Sequence, residues 1–309
     1  MKKVVVTGGA GFIGSHLAEE LTRRGYYVVI LDDLSTGKKS NIDGLLAKKQ
    51  AEFIQGTITN QDLLLEVFKN TEYVFHLAAL PSVPRSINNP LVSHEANATG
   101  TLSVLLAASK NKVKKVVYAS SSSVYGETPT LPKREDMLPR PLSPYAVSKL
   151  AGEYYCNVFK ECFSLAAVSL RYFNVYGPKQ TADSQYAAVI PTFIKSIAEG
   201  KAPVIFGDGE QTRDFTFVKD VIKSNILAAE SDAIGVFNIS GGRGITINET
   251  VRLILKMAGS DVKPVYQKPR PGDIRHSWAD IGKAAVFGYK PQYTFENGLK
   301  EMTRSLYET

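Results

Sequence analysis

The 309-residue chain is poor in the residues that staple or ligate: it has two cysteines, four histidines and a single tryptophan. Cys156 and Cys162 make neither a disulfide framework nor a thiolate zinc site. His16, His76, His94 and His276 show no metal-ligand spacing, so metal catalysis is not expected. Long hydrophobic runs are missing too, which argues against a membrane span. The start, "MKKVVV", has the basic flank of a signal peptide. Its apolar run ends after three valines and no cleavage signal follows, so a cytoplasmic protein is expected. The net charge of +7 raises the question of nucleic acid or a membrane surface. The basic residues are scattered, and the densest group, "KNKVKK" at 110–115, reads as an exposed helix end. Neither partner is therefore expected, and the basic balance suits an anionic small substrate. What the chain does have is an ordinary globular composition, 44% hydrophobic and 22% charged.

Apolar runs alternate with amphipathic stretches through the first half. Strands are expected at 3–8, 27–33, 51–57, 73–79, 114–120 and 165–177, and helices at 12–24, 60–69, 91–110 and 145–162. Continuous Val/Ile-rich strands separated by helices imply a parallel sheet covered on both faces. Prolines and glycines crowd 177–210 and 263–292, around strands at 203–207 and 235–240 and helices at 218–231 and 246–258. The expected fold is therefore α/β, a Rossmann-type doubly wound parallel sheet with a smaller α/β C-terminal lobe. Residues 1–172 form the dinucleotide-binding domain and 173–309 the substrate lobe, with elements from about 213–240 returning to the first domain.

"VVVTGGAGFIGSH" places Gly8, Gly11 and Gly14 between a strand and a helix. Gly8 permits a tight turn, Gly11 lets the backbone approach a pyrophosphate, and Gly14 lets the helix pack on the sheet. The helix N-terminus then favours phosphate charge. Asp32 ends the second strand, eighteen positions beyond Gly14, where an acid accepts ribose hydroxyls and repels a 2′-phosphate. No basic residue follows it directly, so NAD is expected over NADP. Ser35, Thr36 and Gly37 complete the ribose pocket.

"SPYAVSK" puts Tyr145 and Lys149 on one helix face. A hydride leaves a carbinol carbon only if a base takes the hydroxyl proton. Working near pH 7 asks about 3 units of depression from a tyrosine, roughly 4 kcal/mol. An ammonium about 5 Å away supplies on the order of 3 kcal/mol at an effective dielectric near 20. The positive nicotinamide ring of NAD supplies the rest, so Tyr145 is the expected base and Lys149 the group that lowers its pKa and holds the nicotinamide ribose. The serine run "YASSSSVYG" at 118–126 reads as a loop by composition, yet a hydroxyl at a strand's C-terminal end would meet the reacting oxygen.

Over essentially its whole length the sequence resembles the extended short-chain dehydrogenase/reductase family, and within it the UDP-hexose 4-epimerases. The resemblance is carried by "TGGAGFIGSH", "LDDLSTG", "FHLAA", "NATGT", "SSSVYGE", "SPYAVSK", "RYFNVYGP", "FGDGEQTRDF" and "RPGDIRHSWAD". It implies Ser121 as the catalytic hydroxyl, with Ser122 and Ser123 contacting the sugar. Related 4,6-dehydratases carry Asp and Glu at those two positions, so the reaction here is expected to stop at C4. Further cofactor contacts implied are Phe12, Ile13, Thr57, Ile58, Leu77, Ala78, Ala79, Asn97 and Tyr172. Many relatives have Asp where Thr57 stands, which puts the adenine contact in question. For the substrate the resemblance implies Ser82, Asn174, Val189, Val204 and Phe206, the diphosphate-binding Arg213 and Arg270, and the ribose-binding Asp273.

Ser277 departs from the Tyr found in epimerases restricted to glucose and galactose. A small residue there leaves room for a 2-acetamido group. "AALPSVPRSINNP" and "YAAVIP" point the same way, so UDP-GlcNAc/UDP-GalNAc are expected as substrates together with UDP-Glc/UDP-Gal. The implied reaction is oxidation at C4 by NAD, rotation of the 4-keto sugar and reduction on its opposite face. Two rivals stand beside it. One is a UDP-uronic acid 4-epimerase, with Arg85 as the cation near C6. The other is a non-catalytic nucleotide sensor, which would be expected to lack Ser121, Tyr145 or Lys149. A homodimer through the helices at 91–110 and 145–162 is implied by resemblance.

Overall fold

The structure is a computed structural model and describes residues 1–180, 188–269 and 274–307. Seven strands form the central sheet: β1 (Lys3–Thr7), β2 (Tyr27–Asp32), β3 (Ala51–Gln55), β4 (Thr71–His76), β5 (Lys115–Ser121), β6 (Ala167–Tyr172) and β7 (Gly235–Ile239). Their spatial order is β7-β6-β5-β4-β1-β2-β3, and every pairing is parallel. The order reverses between β1 and β4, which opens a crevice at the strands' C-terminal ends.

Both sheet faces are covered, and the two-residue period of a strand sorts the side chains between them. Val4, Val6, Val28 and Ile30 join one core with Leu17 and Val221; Val5, Val29, Leu31 and Val116 join the other with Val104 and Phe159. The first layer is built by α1 (Phe12–Arg23), the second by α2 (Gln61–Val67), α3 (Gly100–Lys110) and α4 (Pro144–Phe163). Ser143 caps α4 by accepting the amide of Ala146 at 3.2 Å, and Pro144 occupies the first turn, where no N–H is needed. Gly152 then lets α4 lie against β5: a Cβ there would fall 2.3 Å from the Tyr118 hydroxyl.

The second half holds α5 (Val189–Ala198), α6 (Val218–Glu230), α7 (Ile247–Ala258) and α8 (Phe295–Tyr307). β7 extends the main sheet beside β6, and α6 packs beside α1. Short ribbons complete the lobe: 204–206 with 265–267, and 212–213 flanked by 245–246 and 276–277.

Three departures from the sequence expectations have local causes. The expected helix 91–110 is not continuous: Pro90–His94 runs into a wide π turn at Glu95–Thr99 before α3 begins. There Thr101 Oγ1 donates to the Asn97 carbonyl at 2.5 Å, adding a side-chain donor to the wide turn. The expected strand 165–177 breaks after Tyr172, where Asn174 takes φ +29°, and Val175–Tyr176 pairs instead with Thr216–Phe217. Helix α5 lies in the proline-rich stretch expected to be irregular. Its Pro191 sits in the first turn, where a missing N–H costs nothing.

Candidate active site

A cleft of about 1140 Å³ follows the crevice at the sheet's C-terminal edge. Gly8, Gly11, Phe12, Ile13 and Gly14 line its first wall. Gly8 has φ +71°, and a Cβ on it would lie 2.6 Å from the Ala78 amide nitrogen; one on Gly14 would lie 2.2 Å from the Gly8 carbonyl. The turn, the helix start and the 77–79 segment close on one another so tightly that only backbone fits. Leu77, Ala78 and Ala79 form the adjoining wall.

Asp32, Ser35, Thr36, Thr57 and Ile58 line the far end. The Asp32 carboxylate accepts the amides of Ala10 at 2.9 Å and Leu34 at 2.8 Å, while burial pushes its pKa up. Gly37 does not line the cleft; it lies against Asp32, where a Cβ would come 2.8 Å from Oδ1. Thr57 is exposed and pairs with Thr59 Oγ1 at 3.0 Å.

Tyr145, Lys149, Ser82 and Tyr172 meet at the other end. Lys149, 3% exposed, donates to the Ala119 carbonyl at 2.8 Å, with Nζ 6.0 Å from the centre of the Tyr145 ring. Tyr145 is hydrogen-bonded with Ser121, whose own oxygen caps the short 3-10 turn Ser122–Tyr125 by accepting the Ser123 amide at 3.2 Å. Ser121, Ser122 and Ser123 are all half-buried, and Ser123 Oγ finds no hydrogen-bond partner among the described residues. Tyr172 donates to Asn225 Oδ1 at 2.9 Å, a brace that sequence reading missed because Asn225 sits in the middle of α6.

Tyr145 is not depressed toward neutrality by the protein alone. Loss of hydration pushes its phenol up, and the Ser121 hydrogen bond offsets only part of that. Burial also brings the Lys149 ammonium down to about 8. Asn97 does not line the cleft. Its buried side chain accepts the Leu80 amide at 2.7 Å and donates to the Leu80 carbonyl and to Ser148 Oγ, which fixes the cleft wall at Leu80.

A second cavity, about 260 Å³, opens beside the first in the small lobe, and Val175, Gln180 and Ala188 border both. Asn174, Val189, Val204, Phe206 and Arg213 line it, together with Gln180 and Gln211. Gln211 lies inside the "FGDGEQTRDF" stretch and was legible there; Gln180 carried no signal. Ser277 lines neither cavity. It is half-buried and paired in register with Arg213. Arg270, Asp273 and the first two residues of "YAAVIP", Tyr186 and Ala187, lie outside the described residues.

The sequence profile of the NAD-dependent epimerase/dehydratase family matches residues 4–240. The chain belongs to that family. It is 39% identical over 302 residues to the UDP-glucose 4-epimerase of Mycolicibacterium smegmatis, covering 96% of each chain. Its fold superposes with a TM-score of 0.96 on the UDP-N-acetylglucosamine 4-epimerase of Methanobrevibacter ruminantium M1, solved with UDP-N-acetylmuramic acid. Those chains are 44% identical over 99% of this chain and 98% of the other. The UDP-glucuronic acid 4-epimerase of Bacillus cereus, solved with UDP-glucuronic acid and NAD, gives a TM-score of 0.92 at 37% identity over 99% of both chains.

For this epimerase/dehydratase family member, NAD is the cofactor, and the cleft fits it. The backbone-only cradle at Gly8 and Gly14 suits a pyrophosphate against the start of α1. The buried Asp32 carboxylate suits a ribose diol and disfavours a 2′-phosphate.

Proposed function

We propose that this protein is a UDP-hexose 4-epimerase acting on UDP-GlcNAc/UDP-GalNAc as well as UDP-Glc/UDP-Gal. The observation that carries the epimerase reading is the Tyr145–Lys149 pair in the cleft wall, with Ser121, itself outside the cleft lining, hydrogen-bonded to Tyr145. In this reading Ser121 bridges the sugar's 4-oxygen and the Tyr145 phenol, and Tyr145 takes and returns the proton. Lys149 stays in place through the Ala119 carbonyl. An ammonium about 5 Å from a phenolate favours it by about 3 kcal/mol at an effective dielectric near 20. NAD, when bound, accepts hydride from C4 and returns it to the opposite face of the ketose. Arg213 and Arg270 hold the diphosphate, Asp273 holds the nucleoside ribose, and the small-lobe cavity takes the uracil. The sugar half stays loosely held so that it can turn over.

The N-acetyl part of the reading rests on Ser277, whose short strand adjoins Arg213, and is in keeping with the 44%-identical UDP-N-acetylglucosamine 4-epimerase. Purified protein given UDP-GlcNAc or UDP-Glc without added NAD is expected to form the C4 epimer of each, resolved by chromatography. Conversion of UDP-Glc alone would sink the roomy pocket and leave the epimerase. Ser277→Tyr is expected to lower kcat/KM for UDP-GlcNAc about tenfold or more and to spare UDP-Glc. Equal losses on both would remove Ser277 from substrate choice.

A second reading, a UDP-uronic acid 4-epimerase, is favoured by one observation: Arg85 lines the cleft beside Ser82. Turnover of UDP-glucuronic acid in preference to both hexoses would establish it.

A homodimer is part of the proposal. Leu102 on α3 and Val147, Tyr154 and Val158 on α4 are apolar and 36–59% exposed, on helices that pack side by side. A face of that kind is suited to a second copy of itself. Light scattering should give twice the chain mass, and Val147→Glu/Val158→Glu should halve it. An unchanged mass in the variant would place the interface elsewhere.

A further inference from the structure

The small-lobe cavity offers a ligand two hydrogen-bond acceptors whose orientation is held. Gln211, 9% exposed, donates Nε2 to the Phe206 carbonyl at 2.7 Å, while its Oε1 is buried and has no hydrogen-bond partner among the described residues. Gln180 repeats the arrangement, with Nε2 on the Val175 carbonyl at 3.1 Å and Oε1 buried without a partner among the described residues. Turning either amide would set oxygen against carbonyl oxygen, so both free ends are acceptors. A buried acceptor left unpaired is unfavourable, and the surrounding walls at Val189, Phe193, Val204 and Phe206 are apolar or aromatic. Such a slot suits a planar ring that carries N–H on its edge.

Resting on the UDP-hexose reading above, we infer that Gln211 selects the nucleobase: its Oε1 accepts the imide N3–H of uracil. Cytosine has a lone pair at that ring position and would leave the acceptor both unpaired and repelled. Gln180, on the wall shared by the two cavities, keeps its oxygen for a ligand hydroxyl between base and reacting sugar. Arg213 lines the same cavity, where the phosphates follow the ribose.

The test is calorimetric binding of UDP, CDP and 3-methyl-UDP to the NAD-loaded protein. The wild type should bind UDP about 100-fold or more tighter than either analogue, because a site built around one hydrogen bond rejects ligands that lack it. Gln211→Met should weaken UDP about tenfold or more and bring UDP and CDP within about threefold of each other. A purely structural role would weaken both nucleotides together and keep their ratio. An unchanged UDP-over-CDP ratio in the variant, or equal binding of the two by the wild type, overturns the assignment. Gln211→Leu carries the same comparison if the methionine variant does not fold. These readouts are binding constants, so a protein that prefers UDP through Gln211 but converts no UDP-sugar would fail the epimerase reading alone.

Discussion

Tyr145→Phe is expected to lower UDP-sugar turnover by about 10²–10⁴-fold, the usual worth of a positioned acid–base group. The ring is retained, so the packing of α4 on β5 is untouched. The lost hydroxyl was bonded with Ser121, which is half-buried and can turn to water. The melting temperature and the bound NAD should therefore match the wild type. Turnover within about threefold of the wild type would move the base to another residue. A loss of NAD together with activity would mean that the substitution had damaged the cleft itself.

Lys149→Met should have two opposite effects, and their opposition is the test. Activity near pH 7 should fall by a factor similar to that of Tyr145→Phe, because the charge that favours the phenolate is gone. Stability near pH 7 should rise. The folded protein lowers the Lys149 ammonium to about 8, against 10.5 for the free side chain, so it binds the proton more weakly than the unfolded chain does. The sign follows from linkage: holding the charged form buried costs about 3 kcal/mol below pH 8, and that cost disappears as pH rises to about 10.5. Losing the bond to Ala119 returns about 1 kcal/mol of it, which leaves a gain of about 2 kcal/mol. For a chain of this length that is a rise of a few degrees in Tm at pH 7, shrinking toward zero at pH 10. Other groups titrate in both proteins and cancel in the difference. A variant less stable than the wild type at pH 7, with no change in the difference at pH 10, would show that Lys149 is anchored by contacts that outweigh its desolvation.

The glycine turn, Asp32, the Tyr145–Lys149 pair and the parallel α/β architecture were legible in the linear pattern, since each depends on residues within one strand–turn–helix unit or one helix face. The bonds that hold Asn97 were not legible, because the motif that singles it out does not say which way the side chain turns. The bonds to Leu80 and Ser148 come from parts of the chain far apart in sequence. The broken helix at 95–99 is of the same kind, because a wide turn leaves no trace in hydrophobic periodicity. The burial of Tyr145 was not legible in the sequence. An ammonium four residues away is visible in the sequence, whereas the loss of water around the phenol is not.

By itself the sequence determined the glycine turn with Asp32, the preference for NAD and the pairing of Tyr145 with Lys149 on one helix face, because local spacing and chemical type suffice for each. The tertiary structure alone decided what Ser121 bonds to, that Lys149 carries its charge at a cost, and that Gln180 and Gln211 converge on one cavity with their oxygens unpaired among the described residues. Those properties depend on which distant segments exclude water from a group and which atoms they leave without a partner. Neither is written in the order of the residues.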